Sequence, residues 1–223
     1  MSAIPRNLVE GFQRFRAQHF ESHDNLYRQL VKQGQTPRTL VVACCDSRVD
    51  PALVFDCDPG DLFVIRNVAN LVPPLEGHSG HHGTTAAIEY GVATLGVEHI
   101  IVLGHAHCGG INALVKTGGV GTPGSYIDDW MCLAESARAG VMAEMPHAPM
   151  AEQERACEQR AILVSLDNLM TFPWIRERVE SGALALHGWY FDIEHGQLLR
   201  YEADTQQFTG LCHFLASSPF NSR

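Results

Sequence analysis

The sequence predicts an α/β fold: a central, mostly parallel sheet with flanking helices, an N-terminal helical arm over residues 1–36, one domain over residues 37–223, and antiparallel C-terminal edge strands. Three observations carry this. Short β-branched runs alternate with stretches of helical spacing through residues 39–116, the pattern of a parallel sheet whose crossovers are helices. The last two strand-like runs are joined only by Glu194-His195-Gly196, too short for a crossover, so they pair antiparallel. The chain has 223 residues, 45% of them hydrophobic and 18% charged, which suits one well-buried domain and is short for two.

In the arm, Leu8, Phe12 and Phe15, then Leu26, Leu30 and Val31, recur at helical spacing. They mark two amphipathic helices whose stripes cover either the domain's own core or a second subunit. Gln35-Thr36-Pro37 ends the second helix, because proline cannot continue it. A strand over 39–44, a helical turn over 50–54, a strand over 62–65, a helix over 80–95, a strand over 98–103 and a helix over 109–116 follow. The glycine-rich stretch 117–124 lacks a following Gly-Lys-Ser/Thr and a directly preceding strand, so it reads as a connecting loop and not a phosphate cradle. Helical spacing resumes over 126–144 and 151–170, separated by Pro146 and Pro149, and again over 173–180. The closing hairpin pairs 184–193 with 197–202.

Charge and cysteine usage narrow the function classes. With 16 basic against 25 acidic residues the formal net charge is -9, which repels phosphate backbones and anionic membrane surfaces, so neither nucleic acid nor a membrane is an expected partner. Arg6, Glu10 and Arg14 interrupt the N-terminal apolar residues and no run of 18 apolar residues occurs, so the expected location is cytoplasmic. Cys count is 7, without short-spaced pairing, in a chain large enough to do without disulfides; reduced thiols or metal ligation are expected.

Two segments carry the chemistry. Ala43-Cys44-Cys45-Asp46-Ser47-Arg48 and Gly104-His105-Ala106-His107-Cys108-Gly109-Gly110 each place soft metal ligands directly after an apolar strand, at the carboxyl edge where ligands collect in an open parallel sheet. Two such edges side by side close one site. Zinc prefers thiolate and imidazole, and a catalytic zinc keeps three protein ligands and one open position, a requirement that Cys44, His105 and Cys108 meet. Gly109 and Gly110 let the backbone turn into the next helix, whose start favours the Cys108 thiolate. Asp46 and Arg48 point to chemistry instead of a structural site closed by four ligands. Two apart on a turn, they can pair and aim a carboxylate at a metal-bound water. Two thiolates donate more charge than imidazoles, so that water is expected to ionise above the pKa of about 7 found with three histidines, an effect Asp46 offsets by accepting its hydrogen bond. Asp46 swung onto the metal would close the site; Arg48 competes for the carboxylate and favours the open form.

These paired motifs resemble the signature of the β-class carbonic anhydrases. Phe63-Val64-Ile65-Arg66-Asn67-Val68-Ala69-Asn70, Ala87-Ile88-Glu89-Tyr90 and His187-Gly188-Trp189-Tyr190 are similar to family segments as well, so the likeness spans residues 30–200. The resemblance implies one Zn2+ per chain on Cys44, His105 and Cys108, an Asp46/Arg48 catalytic dyad, and reversible hydration of carbon dioxide to bicarbonate by 37–223. It also implies a homodimer or a larger oligomer built from dimers, with the substrate pocket at the interface.

Family members inhibited allosterically by bicarbonate carry a Trp three residues before the first zinc cysteine, an Arg in the Arg-Asn-Val-Ala-Asn segment and a Tyr in the hairpin strand. Here Val41, Arg66 and Phe191 stand there, so the indole and phenol donors that would hold an anion are missing. The chain resembles the plant-like, non-allosteric members, whose substrate-pocket Gln, Phe and Tyr correspond to Gln35, Phe63 and Tyr90, with Gly109 also at the substrate; an open site near neutral pH is expected. By the same resemblance Gln35 and Phe63 serve the neighbouring chain's zinc. Walls of Phe63, Val68 and Tyr90 suit a small apolar substrate, and the Gln35 amide could orient an oxygen. As residues alone, Phe63 and Tyr90 read equally as core aromatics.

Cys45 is expected to point away from the metal and pack, and Cys57, Cys132, Cys157 and Cys212 to be structural. His78, His81, His82 and His107 lie near the motifs, either as proton relays or as solvated loop residues. Two rival readings stay open: hydrolysis of carbon disulfide or carbonyl sulfide on the same fold, and a structural zinc module with Asp46 as permanent fourth ligand. Arg48 counts against the second.

Overall fold

A computed structural model describes residues 4–21, 26–77 and 80–211, so His78 and Cys212 lie outside the described residues. In chain order the elements are α1 (Arg6–Phe20), α2 (Leu26–Gln33), β1 (Thr39–Cys44), α3 (Pro51–Val54), β2 (Leu62–Asn67), α4 (Gly83–Glu89), β3 (His99–His105) and α5 (Gly109–Thr117). They continue with α6 (Tyr126–Met131), α7 (Glu135–Glu144), α8 (Met150–Leu169), α9 (Pro173–Glu180), β4 (Ala185–Asp192), β5 (Gln197–Glu202) and β6 (Gln207–Gly210).

The strands form one sheet in the order β2-β1-β3-β4-β5-β6. β1 pairs in parallel with both β2 and β3, and β3 with β4, while β5 and β6 add antiparallel. After β1 the chain steps outward to β2 and then returns across β1 to β3. The crevice beyond the carboxyl ends of β1 and β3 is therefore the topological switch point of the sheet, where ligands bind in open α/β folds. Leu40, Val42, Ile100 and Val102 are buried on one side of these strands and Val41, Ala43, Ile101 and Leu103 on the other, as expected of strands covered on both faces.

Helix α8 covers β3 and β4 with the stripe Cys157, Glu158, Ala161, Ile162, Ser165 and Leu169. Two strand glycines let it approach closely. A Cβ at Gly104 would lie 2.7 Å from Ile162 Cδ1, and one at Gly188 would lie 3.0 Å from Ile162 Cγ2. This close approach brings the residues of α8 within reach of the loops at the switch point.

Several sequence expectations need correction. β2 runs on to Asn67 instead of ending at residue 65. The helix expected over 80–95 starts at Gly83 and after Glu89 widens into a π-type turn, Tyr90–Thr94, closed by the Leu95 N–H donating to Tyr90 O at 3.0 Å. There Gly91 lies against β1: a Cβ would sit 2.5 Å from Leu40 Cδ1. The helix expected over 126–144 is interrupted by a 3-10 turn at Cys132–Ala134, which keeps both Met131 and Ala134 buried. β6 was not expected, because its four residues include only one large apolar side chain, Phe208, and edge pairing with β5 defines it.

The arm's alternatives are also separated. Neither α1 nor α2 contributes a buried residue, and Leu8 and Phe12 are 66% and 62% exposed, so within one chain these apolar stripes do not cover the core. Phe15 instead packs its ring near Phe20 and Tyr27, with centroids 5.8 and 5.5 Å away.

The strand–helix approach gives a direct test. Gly104→Ala is expected to destabilise the protein by about 1–3 kcal/mol in urea unfolding, the usual cost of overpacking. The loss should shrink in an Ile162→Val background, which removes the nearest opposing atom. Equal losses in both backgrounds would refute the close-approach account.

Candidate metal centre

Register brings the ligands together. Ala43 pairs with Leu103, so the last residue of β1, Cys44, stands beside the end of β3, whose last residue is His105. Cys108 follows at the N-cap of α5, after a turn in which His107 takes a left-handed φ of 58°. The Cys44 and Cys108 sulfurs and a His105 ring nitrogen lie within 4.8 Å of one another. The three residues are only 5%, 2% and 1% exposed.

The donor set fits a metal on the chain's own geometry. His105 Nδ1 lies 2.9 Å from Ala106 O, the arrangement that puts the proton on Nδ1 and leaves Nε2 a bare lone pair. Nε2 is buried and has no hydrogen-bond partner among the described residues. The hydrogen bond with Cys108 pulls the Cys44 thiol down against the effect of burial, while that same contact and burial push the Cys108 thiol up. The backbone N–H groups of Asp46, at 3.4 Å, and Ala69 also donate to the Cys44 sulfur and favour its thiolate. A buried imidazole lone pair beside sulfur donors suits a soft divalent ion such as zinc.

Asp46 and Arg48 form the predicted pair. Asp46 Oδ1 accepts from the Arg48 backbone N–H at 3.0 Å and from Nε at 2.9 Å, and Oδ2 accepts from a terminal guanidinium nitrogen at 2.7 Å. The same nitrogen donates to His107 O at 3.0 Å, tying the pair to the second motif. Arg48's hydrogen bonds hold the Asp46 carboxyl below the usual carboxylate range. Arg66 braces the turn from below, donating to Cys44 O at 2.9 Å, Asp46 O at 2.7 Å and Asp50 Oδ2 at 2.9 Å. Val41 and Phe191 sit in one apolar cluster with Ala43, Ile101, Leu103 and Trp189.

Other expected site residues lie elsewhere. Phe63 pairs with Leu40, four residues before Cys44, which places it about 13 Å along the strand from the metal ligands at ~3.3 Å per residue. Tyr90 lies tilted against it, with centroids 5.9 Å apart, and is 46% exposed; Gln35 is exposed just before β1. One chain therefore does not bring Gln35, Phe63 and Tyr90 to its own Cys44, His105 and Cys108. Val68 lies instead near the start of α5, 3.0 Å from where a Gly110 Cβ would stand, so the expected wall of Phe63, Val68 and Tyr90 is not assembled within one chain. Gly109 opens α5, directly beside Cys108.

Cys45 is exposed, so the packing role expected of it is not seen; its N–H donates to Asn67 O at 2.8 Å. Cys157 is buried, Cys57 half-buried and Cys132 exposed. His81 and His82 line a cleft of about 860 Å³ with Val68 and Trp130, and His107 pairs with Glu194 at 3.0 Å. Sequence reasoning passed over Glu158, whose carboxylate accepts from Cys108 N at 2.9 Å and from the Tyr190 hydroxyl at 2.7 Å. Its signal was a charged residue within the apolar stripe of a helix. No described helix is long and apolar enough to cross a membrane.

A family model described as carbonic anhydrase matches residues 39–198. A carbonic anhydrase of Synechocystis is 39% identical over 91% of this chain and 73% of its own length. The solved structure of the β-carbonic anhydrase CcaA superposes with a TM-score of 0.85 at 38% identity, covering 92% of this chain and 91% of that one. A tetrameric β-carbonic anhydrase from Sordaria macrospora superposes with a TM-score of 0.71 at 32% identity, over 87% of this chain and 92% of that one.

The Asp46–Arg48 geometry sets a pH dependence. A carboxyl whose folded pKa is depressed contributes stability that is fully present above its unfolded pKa of about 3.9 and is lost as pH falls through the folded value. Asp46→Asn should thus be less stable than wild type near neutral pH, with the gap closing on acidification below about pH 4. Denaturant midpoints compared at the two pH values test this; a gap that stays constant would contradict it.

Proposed function

The chain belongs to the β-carbonic anhydrase family, and on that premise we propose that it interconverts carbon dioxide and bicarbonate at one zinc ion held by Cys44, His105 and Cys108. The observation that carries this reading is the buried sulfur–imidazole triad lying next to a carboxylate that an arginine grips through both oxygens. When bound, zinc supplies the Lewis acidity that makes water a nucleophile near neutral pH.

The chain's own residues do the rest. Asp46 is ionised at neutral pH and holds two of its lone pairs on Arg48 through Oδ1 and one through Oδ2. A free acceptor position remains on Oδ2, which would take a hydrogen bond from the attacking oxygen and turn its lone pair toward the carbon of carbon dioxide, while the proton that water gives up passes to solvent, since Arg48 keeps Asp46 ionised. Arg48 keeps the carboxylate in that orientation and opposes its collapse onto the metal, so the site is open near neutral pH. A structural zinc module would leave this grip without a purpose. With Val41 and Phe191 apolar and Arg66 engaged on Cys44, Asp46 and Asp50, these three positions do not offer the indole and phenol donors for an inhibitory bicarbonate.

The active unit is a dimer or a larger assembly of dimers. Phe63, Tyr90 and Gln35 stand at the opposite end of β1 and β2 from the triad, and in the proposed dimer they wall the neighbouring chain's site. Phe63 and Tyr90 exclude water around a small apolar substrate, the Gln35 amide orients an oxygen, and Gly109 lets the backbone come close beside Cys108.

Oxygen-isotope exchange between carbon dioxide and labelled water tests the reading. Zinc-loaded wild type should exchange, faster as pH rises above neutral, and Asp46→Asn should retain zinc but lose activity by about 100-fold or more. Absence of exchange at every pH from about 7 to 9 in zinc-loaded protein would overturn the proposed activity.

A further inference from the structure

Beneath the triad lies a buried carboxylate that the proposed chemistry does not use. Glu158 is only 4% exposed. Its Oε1 accepts the Cys108 N–H at 2.9 Å and its Oε2 accepts the Tyr190 hydroxyl at 2.7 Å. Asn112, with its amide nitrogen turned to the side where it meets acceptors, donates to Glu158 Oε1 at 3.0 Å and to Cys108 O at 3.2 Å. The Asn112 backbone N–H donates to the same carbonyl at 2.9 Å.

Burying a carboxylate is costly, and a space-filling side chain at this point of the α8 stripe would be cheaper. What the carboxylate does is hold the backbone of one residue, Cys108. The N–H of Cys108 is held by Glu158, and its C=O by Asn112, so both faces of the residue's backbone are pinned. Between that backbone and the sulfur only one rotatable bond, χ1, remains. The support is itself rigid: Tyr190 is fully buried on β4, Arg155 lies 5.3 Å over its ring, and α8 is set close to β3 and β4 by Gly104 and Gly188.

We propose that Glu158 is a positioning residue for the metal centre, its carboxylate fixing the Cys108 backbone so that the sulfur faces His105 and Cys44, and thereby setting the affinity for zinc. The proposal rests on the zinc reading of the triad. Glu158 touches neither substrate nor metal; it acts through Cys108, and Tyr190 and Asn112 hold it there.

The test is zinc affinity of the full chain by competition with a chromophoric chelator, together with the thiolate-to-metal charge-transfer absorption of the cobalt-substituted protein. Glu158→Ala should bind zinc about 10- to 100-fold more weakly and shift the cobalt absorption. Glu158→Gln keeps an oxygen for the Cys108 N–H and should stay within about threefold of wild type, whereas Glu158→Met keeps the volume without the acceptor and should weaken zinc binding as Glu158→Ala does; a general packing role predicts that both restore it. Wild-type affinity and an unchanged cobalt spectrum in Glu158→Ala, even with lowered stability, would overturn the proposal. If Glu158→Ala does not fold, Glu158→Met, which fills the same space without an acceptor for the Cys108 N–H, carries the test: weaker zinc binding supports the clamp, and unchanged binding overturns it. Failure of wild type to bind zinc at all would instead sink the metal reading beneath it.

Discussion

The burial of two sulfurs and an imidazole at one sheet edge is the constraint on which the rest of this structure depends. Cys44, His105 and Cys108 come from two strand ends and a helix cap, and none of them is free to find water. An unpartnered buried polar atom such as His105 Nε2 costs free energy until something coordinates it. On the proposed zinc reading, metal binding would become folding free energy, because the unfolded chain has no such preformed triad. The parallel register of β1 and β3, at the switch point of the sheet, makes the convergence possible.

Around the triad, almost every contact acts on backbone. Arg66 holds the carbonyls of Cys44 and Asp46, Glu158 and Asn112 hold Cys108, and Arg48 reaches from Asp46 to the carbonyl of His107. Ligand side chains are short, so fixing their peptides fixes their donor atoms. Arg48 has a second consequence. It offers Asp46 a cation with matched bidentate geometry, and that competes with the metal for the same carboxylate. In the proposed zinc centre, the balance between these two cations would decide whether the site is open or closed.

The fold and the convergence of Cys44, His105 and Cys108 were legible because both depend on local pattern. Apolar runs ending in Cys44 and His105 mark strand ends, and the short link at Glu194-His195-Gly196 marks the hairpin. What escaped depends on contacts between distant segments. The π-type turn after Glu89 accompanies the approach of Gly91 to Leu40, which no helical spacing records. Glu158 looks like an ordinary helix acid until α8 is laid over β3. Cys45 sits beside a buried ligand in sequence, yet its side chain faces solvent, because alternation along the chain stops where the strand ends. Phe63 and Tyr90 lie beside each other, while their distance from their own chain's triad emerges only from the register Leu40 to Phe63. The exposed stripes of α1 and α2 have the same character: their apolar spacing was plain, and that neither helix buries a residue within the chain was not.

The central claim is an open, three-ligand zinc centre whose aspartate belongs to an arginine. A crystal structure of the zinc-loaded protein near neutral pH measures this most directly. The account predicts zinc bound to Cys44 Sγ, His105 Nε2 and Cys108 Sγ, with no further ligand from the chain and both Asp46 oxygens still on Arg48. Zinc bound by the Asp46 carboxylate, with Arg48 released, would contradict it.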